Sequence, residues 1–418
     1  MGKASVLLVM GYCSLLLLSG MLLSDMSVDA YDNAMGYYED VAVRNIAIAG
    51  ANMAANYIFL YPPLINGNGW FPGYTTPVQF GGGSFVVTVD STTSVDPYTG
   101  EPRLTMRSTG TYRDSTATVM VILRPSNFAK FAVYAGVSAS AGAYWETGDS
   151  ALGPVHSQGQ LKTIGSPYFG GKASCKDGVV YHAGATPIFN AGLETGVSIP
   201  MNRNYRRVED AASSGGRHFT GHDDLWLTFA GDSVRYRRVS GDPDTTAYLP
   251  TFAPNGVIAL GGHHTGNVYV QGVVHGRYTI GSMDSTAGSR GKVVVTGNLT
   301  YQNDPRIDPH STDMLGIVAY NDVVIADNGA PSFDVTASMF SYRGGIRVEN
   351  YNSRPPGNLN TYGGWIVEQI HPTSNGVPLG LPGSKGYKAV IRYDERFRYS
   401  SPPFFPGTNA YEILAWYE

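Results

Sequence analysis

A chain of 418 residues is long enough for two or three domains and a sizeable core. Its formal net charge is −4 and only 15% of its residues are charged, so it offers no basic surface to recommend nucleic acid and no polybasic segment for anionic lipid. With 52 glycines, 25 prolines and 28 tyrosines the composition is that of a β-rich, turn-rich exported structural protein rather than a cytosolic α/β enzyme.

Residues 4–24, ASVLLVMGYCSLLLLSGMLLS, contain no charge and no proline and lie between Lys3 and Asp25. As a helix this run reaches about 30 Å, the thickness of a bilayer's hydrocarbon core. The helical signal continues: Val28, Tyr31, Met35, Tyr38, Ala42, Ile46, Ala49 and Met53 recur at spacings of three and four, an amphipathic stripe. Asp29, Asp32, Asn33, Asp40 and Arg44 occupy the other face. No proline intervenes before Pro62-Pro63, so one helix of roughly 55 residues is expected over residues 1–60. A cleaved secretory signal is the competing reading, but its apolar core is only about 7 to 15 residues long. The small-residue site it requires, Val28-Asp29-Ala30, falls inside the stripe, so a retained anchor fits better.

Gly2-Lys3-Ala4-Ser5-Val6-Leu7-Leu8 and Ile46-Ala47-Ile48-Ala49-Gly50-Ala51-Asn52-Met53 give this N-terminus its resemblance to type IV pilin-like proteins, and among them to PilX-like minor pilins. The resemblance implies a helix held in the inner membrane before assembly and in an extracellular filament afterwards. It implies packing against copies of itself or other pilin-like subunits through Ser5, Leu8, Gly11, Leu15, Leu18, Gly20, Leu22 and the stripe beyond. In that family a glutamate stands five residues into the mature chain, where this sequence has Ser5. The departure points to a capping or initiating subunit. Either the chain shown begins at the mature end, or Met1 and Gly2 form a vestigial leader.

After the helix, residues 66–81 (NGNGWFPGYTTPVQFG) read as a neck. Strands are expected at residues 84–89, 103–107, 110–112 and 116–123, where β-branched and aromatic residues alternate with polar ones. Together residues 61–150 form a first β-rich domain. Residues 151–340 have another rhythm, short apolar runs closed by glycines, as in GVIALGG, GNVYVQG and GKVVVTGNLTY. That is the punctuation of a parallel β-solenoid, although an ordinary meander shares much of it. Residues 341–418 add strands at 364–369 and 388–393, and the aromatic tail is expected to cap the solenoid's open end. The fold class is therefore α+β, a long helix followed by a β-rich head with a solenoid-like portion.

NGVIALGG, VYVQGVVHGRYTIGS, GNLTYQNDPRIDPHSTDMLGIVAYNDVVIAD and YDERFRYSSPPFFPG resemble a β-helical bacterial surface module of unknown function found behind pilin-like N-termini. This likeness implies architecture rather than activity.

Chemistry-bearing clusters are sparse. His218 and His222, four apart beside Asp223-Asp224, have metal-like spacing, but no glutamate follows the first histidine and a Ser-Ser-Gly-Gly lead-in argues for a surface loop. His263-His264 and His275 read as hydrogen-bonded strand residues. Asp304 with Asp308 and Asp327-Asn328-Gly329 read as Asx turns rather than calcium loops. The carboxylate pairs Asp223-Asp224, Asp242 with Asp244, and Asp304 with Asp308 all fall in turns. There is no GxSxG and no phosphate loop of the GxxxxGK[ST] type. Cys13 and Cys175 supply neither a disulfide framework nor a zinc site.

The expectation is a structural subunit of a bacterial cell-surface filament with no active site, metal or cofactor. Two alternatives stay open: an anchored envelope protein whose solenoid binds polysaccharide, and a β-helix enzyme acting on glycans.

Overall fold

The computed structural model describes residues 2–61, 71–90, 103–137, 144–201, 204–262, 265–286, 290–377 and 382–418. Pro62-Pro63, most of the expected neck and His263-His264 lie outside these residues. The protein is α+β, a 58-residue helix and a β-rich remainder dominated by parallel strands. It divides into two compact units, the first comprising residues 1–95, 102–124 and 410–418 and the second residues 96–101 and 125–409.

In the first unit, helix Lys3–Leu60 runs for about 87 Å at 1.5 Å per residue. Only its C-terminal part is packed. Val43, Ile46, Ala47, Ala51, Ala54 and Ile58 are buried, and they meet Phe85, Val87, Leu104, Met106, Val119 and Val121 of a sheet. That sheet orders Val78–Phe80, Gly83–Asp90, Leu104–Tyr112, Ser115–Asn127 and Gly407–Tyr417, with the first four antiparallel. The alternation of buried and exposed residues along Gly83–Asp90 and Leu104–Tyr112 follows from one face being against the helix and the other outward. Glycine lets the backbones meet closely. A Cβ at Gly50 would lie 2.5 Å from Ser108 Oγ and 2.7 Å from Phe85 Cδ2, and one at Gly110 would lie 2.6 Å from the Val43 carbonyl.

The second unit is a three-faced parallel solenoid. The rungs of one face stack as Arg217–Phe219, Val257–Leu260, Arg277–Ser282, Met314–Ala319, 338–341 and 363–367, then Val133–Ala135, Val155–Ser157, Ala173–Cys175 and Leu193–Thr195. Residues 225–227, 268–270, 293–295, Val323–Ile325 and Ile346–Val348 stack on a second face. On the third, 332–337, 357–362, Tyr387–Arg392, Ser150–Leu152, Tyr168–Phe169 and Ile188–Phe189 succeed one another. Inward residues such as Val270, Val295, Ile325, Leu299, Val335 and Leu359 form the core.

The order of rungs is permuted with respect to the chain. Residues 133–195 climb from the middle of the stack to one end; the chain then returns to the other end and climbs from 217 to 392, finishing beside the rung where it began. The returning segment lies along the first face. Tyr134 Oη donates to the Ile199 carbonyl at 2.5 Å, Tyr342 Oη to that of Asn204 at 3.0 Å, and Tyr205 packs edge-on against Tyr320. Helix Arg206–Ser213 then buries Val208, Ala211 and Ala212. Farther along this face the segment 400–405 supplies the cover: a Cβ at Gly316 would lie 2.7 Å from Phe405 Cδ2 and 2.9 Å from Pro402 Cβ, and Ser400 Oγ lies 3.8 Å from Met314 Sδ. Met314–Ala319 is accordingly buried at every position, and a strand with both faces covered reads as a continuous apolar run.

Two expectations about organisation are corrected. The anticipated division at residue 150 does not exist, since Val133–Ala135 and Ser150–Leu152 are rungs of the same solenoid as the residues that follow. The C-terminal tail does not cap the solenoid either. Gly407–Tyr417 joins the sheet of the first unit beside Ser115–Asn127, where Arg124 Nη2 pairs with Glu412 Oε1 at 2.6 Å. Tyr411 and Trp416 pack against that unit's core, whereas Ile413, Leu414 and Tyr417 stay exposed. In chain order the solenoid is thus inserted between two neighbouring strands of the sheet.

Candidate functional site

The first candidate site is the uncovered part of the helix. From Val6 to Met26 the described residues include 14 large apolar side chains, each at least 58% exposed. The helix is long and apolar enough to cross a membrane, and its most apolar stretch has no residue buried in the protein. Three of its hydroxyls turn inward on the backbone: Ser5 Oγ donates to the Gly2 carbonyl at 2.7 Å, Ser14 to Met10 at 2.9 Å and Ser19 to Leu15 at 2.8 Å. Polar groups satisfied within one helix are what a hydrocarbon environment demands.

Leu8, Leu15, Leu18, Leu22, Val28, Tyr31 and Tyr38 are exposed, and a Cβ at Gly11 or Gly20 would touch nothing within 4 Å. Met35, Ala42 and Ala49 are half-buried, Ile46 is buried and Met53 is exposed. The face against the sheet is thus centred on Val43, Ala47, Gly50, Ala51 and Ala54, to one side of the expected stripe. Small residues give a weak hydrophobic signal, yet they permit the close approach that large ones prevent. At the sheet's end of the overhang, Glu39 accepts an ion-pair contact from Arg113 at 2.6 Å, and Tyr38 meets the Tyr112 ring edge-on.

The polar clusters are engaged locally. His218 lies on strand Arg217–Phe219, not in a loop; its Nδ1 is 3.0 Å from Ser213 Oγ and its Nε2 3.6 Å from Glu209. Residue 218 therefore points back to helix Arg206–Ser213, which ends at the Ser-Ser-Gly-Gly lead-in, so that His218 and His222 do not share a helix. Asp224 accepts the Asn267 amide, Asp244 accepts Arg237, and Asp304 is held below the usual carboxylate range by hydrogen bonds from Arg306. Asp308 accepts the His310 amide, Asn328 accepts that of Ala330, and Asp327 is lowered chiefly by the Asn350 side chain. His275 Nδ1 lies 2.6 Å from Asp232. Among the described residues no group of three or more histidine, cysteine or carboxylate side chains is placed to hold a metal ion.

Sequence reasoning missed a second candidate, a cavity of about 390 Å³ on the solenoid. Its polar wall is assembled from distant segments. Lys388 Nζ and Ser374 Oγ both donate to Glu146 Oε1 at 2.5 Å, while Asp149 accepts the amides of Glu146 at 3.0 Å and Ala389 at 3.3 Å. Burial pushes the Asp149 carboxyl up to about 7, helped by the Glu146 charge and opposed by the hydrogen bonds and Lys388. Burial also pushes His371 down, with Arg347 adding to it. A neutral carboxyl beside a charged one can donate and accept hydrogen bonds together near neutral pH. The sequence held no signal for it, because Glu146 and Lys388 are 242 residues apart and meet only through rung stacking.

No protein-family model and no curated protein matches the chain. Among solved structures it is similar to the competence-associated pilin ComZ from Thermus thermophilus, with 14% identity over 90% of this chain and 96% of that one, at a TM-score of 0.35. A likeness at that level does not bear on fold or function.

Proposed function

We propose that this protein is a structural, non-catalytic subunit of a bacterial cell-surface filament, held in the inner membrane by its helix until it assembles with copies of itself or related subunits. The observation that carries this reading is the exposed overhang. Fourteen large apolar side chains in water would be unfavourable by roughly 20–40 kcal/mol, at about 1.5–3 kcal/mol each. A bilayer removes that penalty, and so does a filament core built from the same half-helix of other subunits. Gly11 and Gly20 leave gaps where neighbouring helices approach. A half-helix free of its own head and continuous with a head-bound half is the arrangement the sequence shares with type IV pilin-like proteins.

Shear fractionation tests the assignment. The native chain is expected among filaments sheared from cells, and Leu15→Glu is expected to remove it from that fraction while the protein is still made. A native chain that never leaves the membrane fraction overturns the filament reading.

A further inference from the structure

The cavity beside Asp149 borders another of about 480 Å³, and the two share Tyr351, His371 and Pro372 as lining residues. The second cavity lies on the outward side of the second face. There Trp226, Tyr269, Val294, Val324 and Arg347 follow one another in register, one per rung. The step from Tyr269 to Arg347 alone covers about 14 Å at 4.8 Å per rung. Trp226 and Tyr269 stack with ring centroids 5.1 Å apart and planes 8° from parallel. Beyond Tyr269 the column continues in short valines, over which the cavity opens. The result is an elongated groove along the solenoid axis with aromatic rings in its wall and polar groups at the end near Asp149.

The chemistry of the wall narrows the occupant. Carboxylates stand among its cations: Arg347 lies 2.9 Å from Asp322, Lys388 2.5 Å from Glu146, and Lys292 shares the second cavity's wall with Glu349. A polyanion would have to compete with these pairs. Strands 268–270, 293–295 and Val323–Ile325 beneath the groove are paired on both sides, so they offer no free edge to the main chain of an extended peptide. What remains is a ligand that combines apolar ring faces with many neutral hydroxyls and extends over several rungs. We propose that this groove binds an uncharged polysaccharide along the solenoid axis, its sugar rings stacking on Tyr269 and Tyr351 and its hydroxyls bonding to Glu146, Asp149 and Asn352.

The test uses the detergent-solubilised full chain on immobilised glucan, mannan and xylan, with polygalacturonate and an oligoproline peptide for comparison. Binding to at least one neutral polymer is expected, weakened on the order of tenfold in Tyr269→Ala and in Tyr351→Ala with the thermal midpoint retained. Should Tyr351→Ala unfold, Tyr269→Ala alone decides, because its ring lies on the outer column. The proposal is overturned if none of the three neutral polymers binds, if only polygalacturonate or the peptide does, or if binding is indifferent to the folded variants. Since the protein is unassembled in this assay, failure here leaves the filament assignment untouched.

Discussion

Trp365 lies in register beside Val133 in adjacent parallel strands, although 232 residues separate them. This contact joins the two climbing runs of the solenoid into one stack. Trp365 is 5% exposed and its Nε1 donates to Thr361 Oγ1 at 2.9 Å. Trp365→Ala is therefore expected to cost about 3–5 kcal/mol, as large aromatic truncations in cores do. Rungs on both sides of the junction should lose amide protection together in hydrogen exchange. Loss confined to residues 217–367 would show that the two runs are independently stable.

The helix and sheet of the first unit meet through Gly50. Gly50→Val is expected to destabilise that unit by about 1–3 kcal/mol, because the new side chain must displace the buried Ser108 hydroxyl and the Phe85 ring. The control is Gly36→Ala, where a Cβ meets nothing within 4 Å and helix propensity improves by up to about 1 kcal/mol. Thermal unfolding of both variants separates the effect of close approach from that of helix propensity.

The carboxyl of Asp149 is pushed up to about 7 from an ordinary value of 3.8. The folded state then holds a proton that the unfolded state has released, so stability falls as pH rises from about 4 to about 7 and levels off above it. Glu146 and Lys388 are the charged neighbours that set this shift after burial itself. Denaturant titrations across that range should show the slope in the native chain and a flatter one in Asp149→Asn. Equal slopes would mean that Asp149 is ionised throughout.

Much of the architecture was legible in the residues. An uncharged run followed by a 3.6-residue period specified the helix, and β-branched alternation placed the antiparallel strands to within a few residues; two expected at 103–107 and 110–112 are one continuous strand, Leu104–Tyr112. Glycine-closed apolar runs signalled parallel rungs. The permuted rung order was hidden, because a strand such as Val133–Ala135 carries no mark of whether its neighbour lies 20 or 232 residues away. The helix face against the sheet was hidden for another reason: Ala47, Gly50, Ala51 and Ala54 pack by being small, and apolar periodicity counts large side chains. The tail was misplaced because an aromatic strand fits a sheet edge as well as a solenoid end. The groove was invisible because it exists only after distant rungs have stacked.

Electron microscopy of material sheared from cells expressing the native protein, with mass spectrometry of its N-terminus, tests the central claim most directly. The account predicts the chain within filaments, its apolar half-helix intact. Recovery solely from membranes, as an unassembled monomer, would contradict it and leave a permanently anchored surface protein.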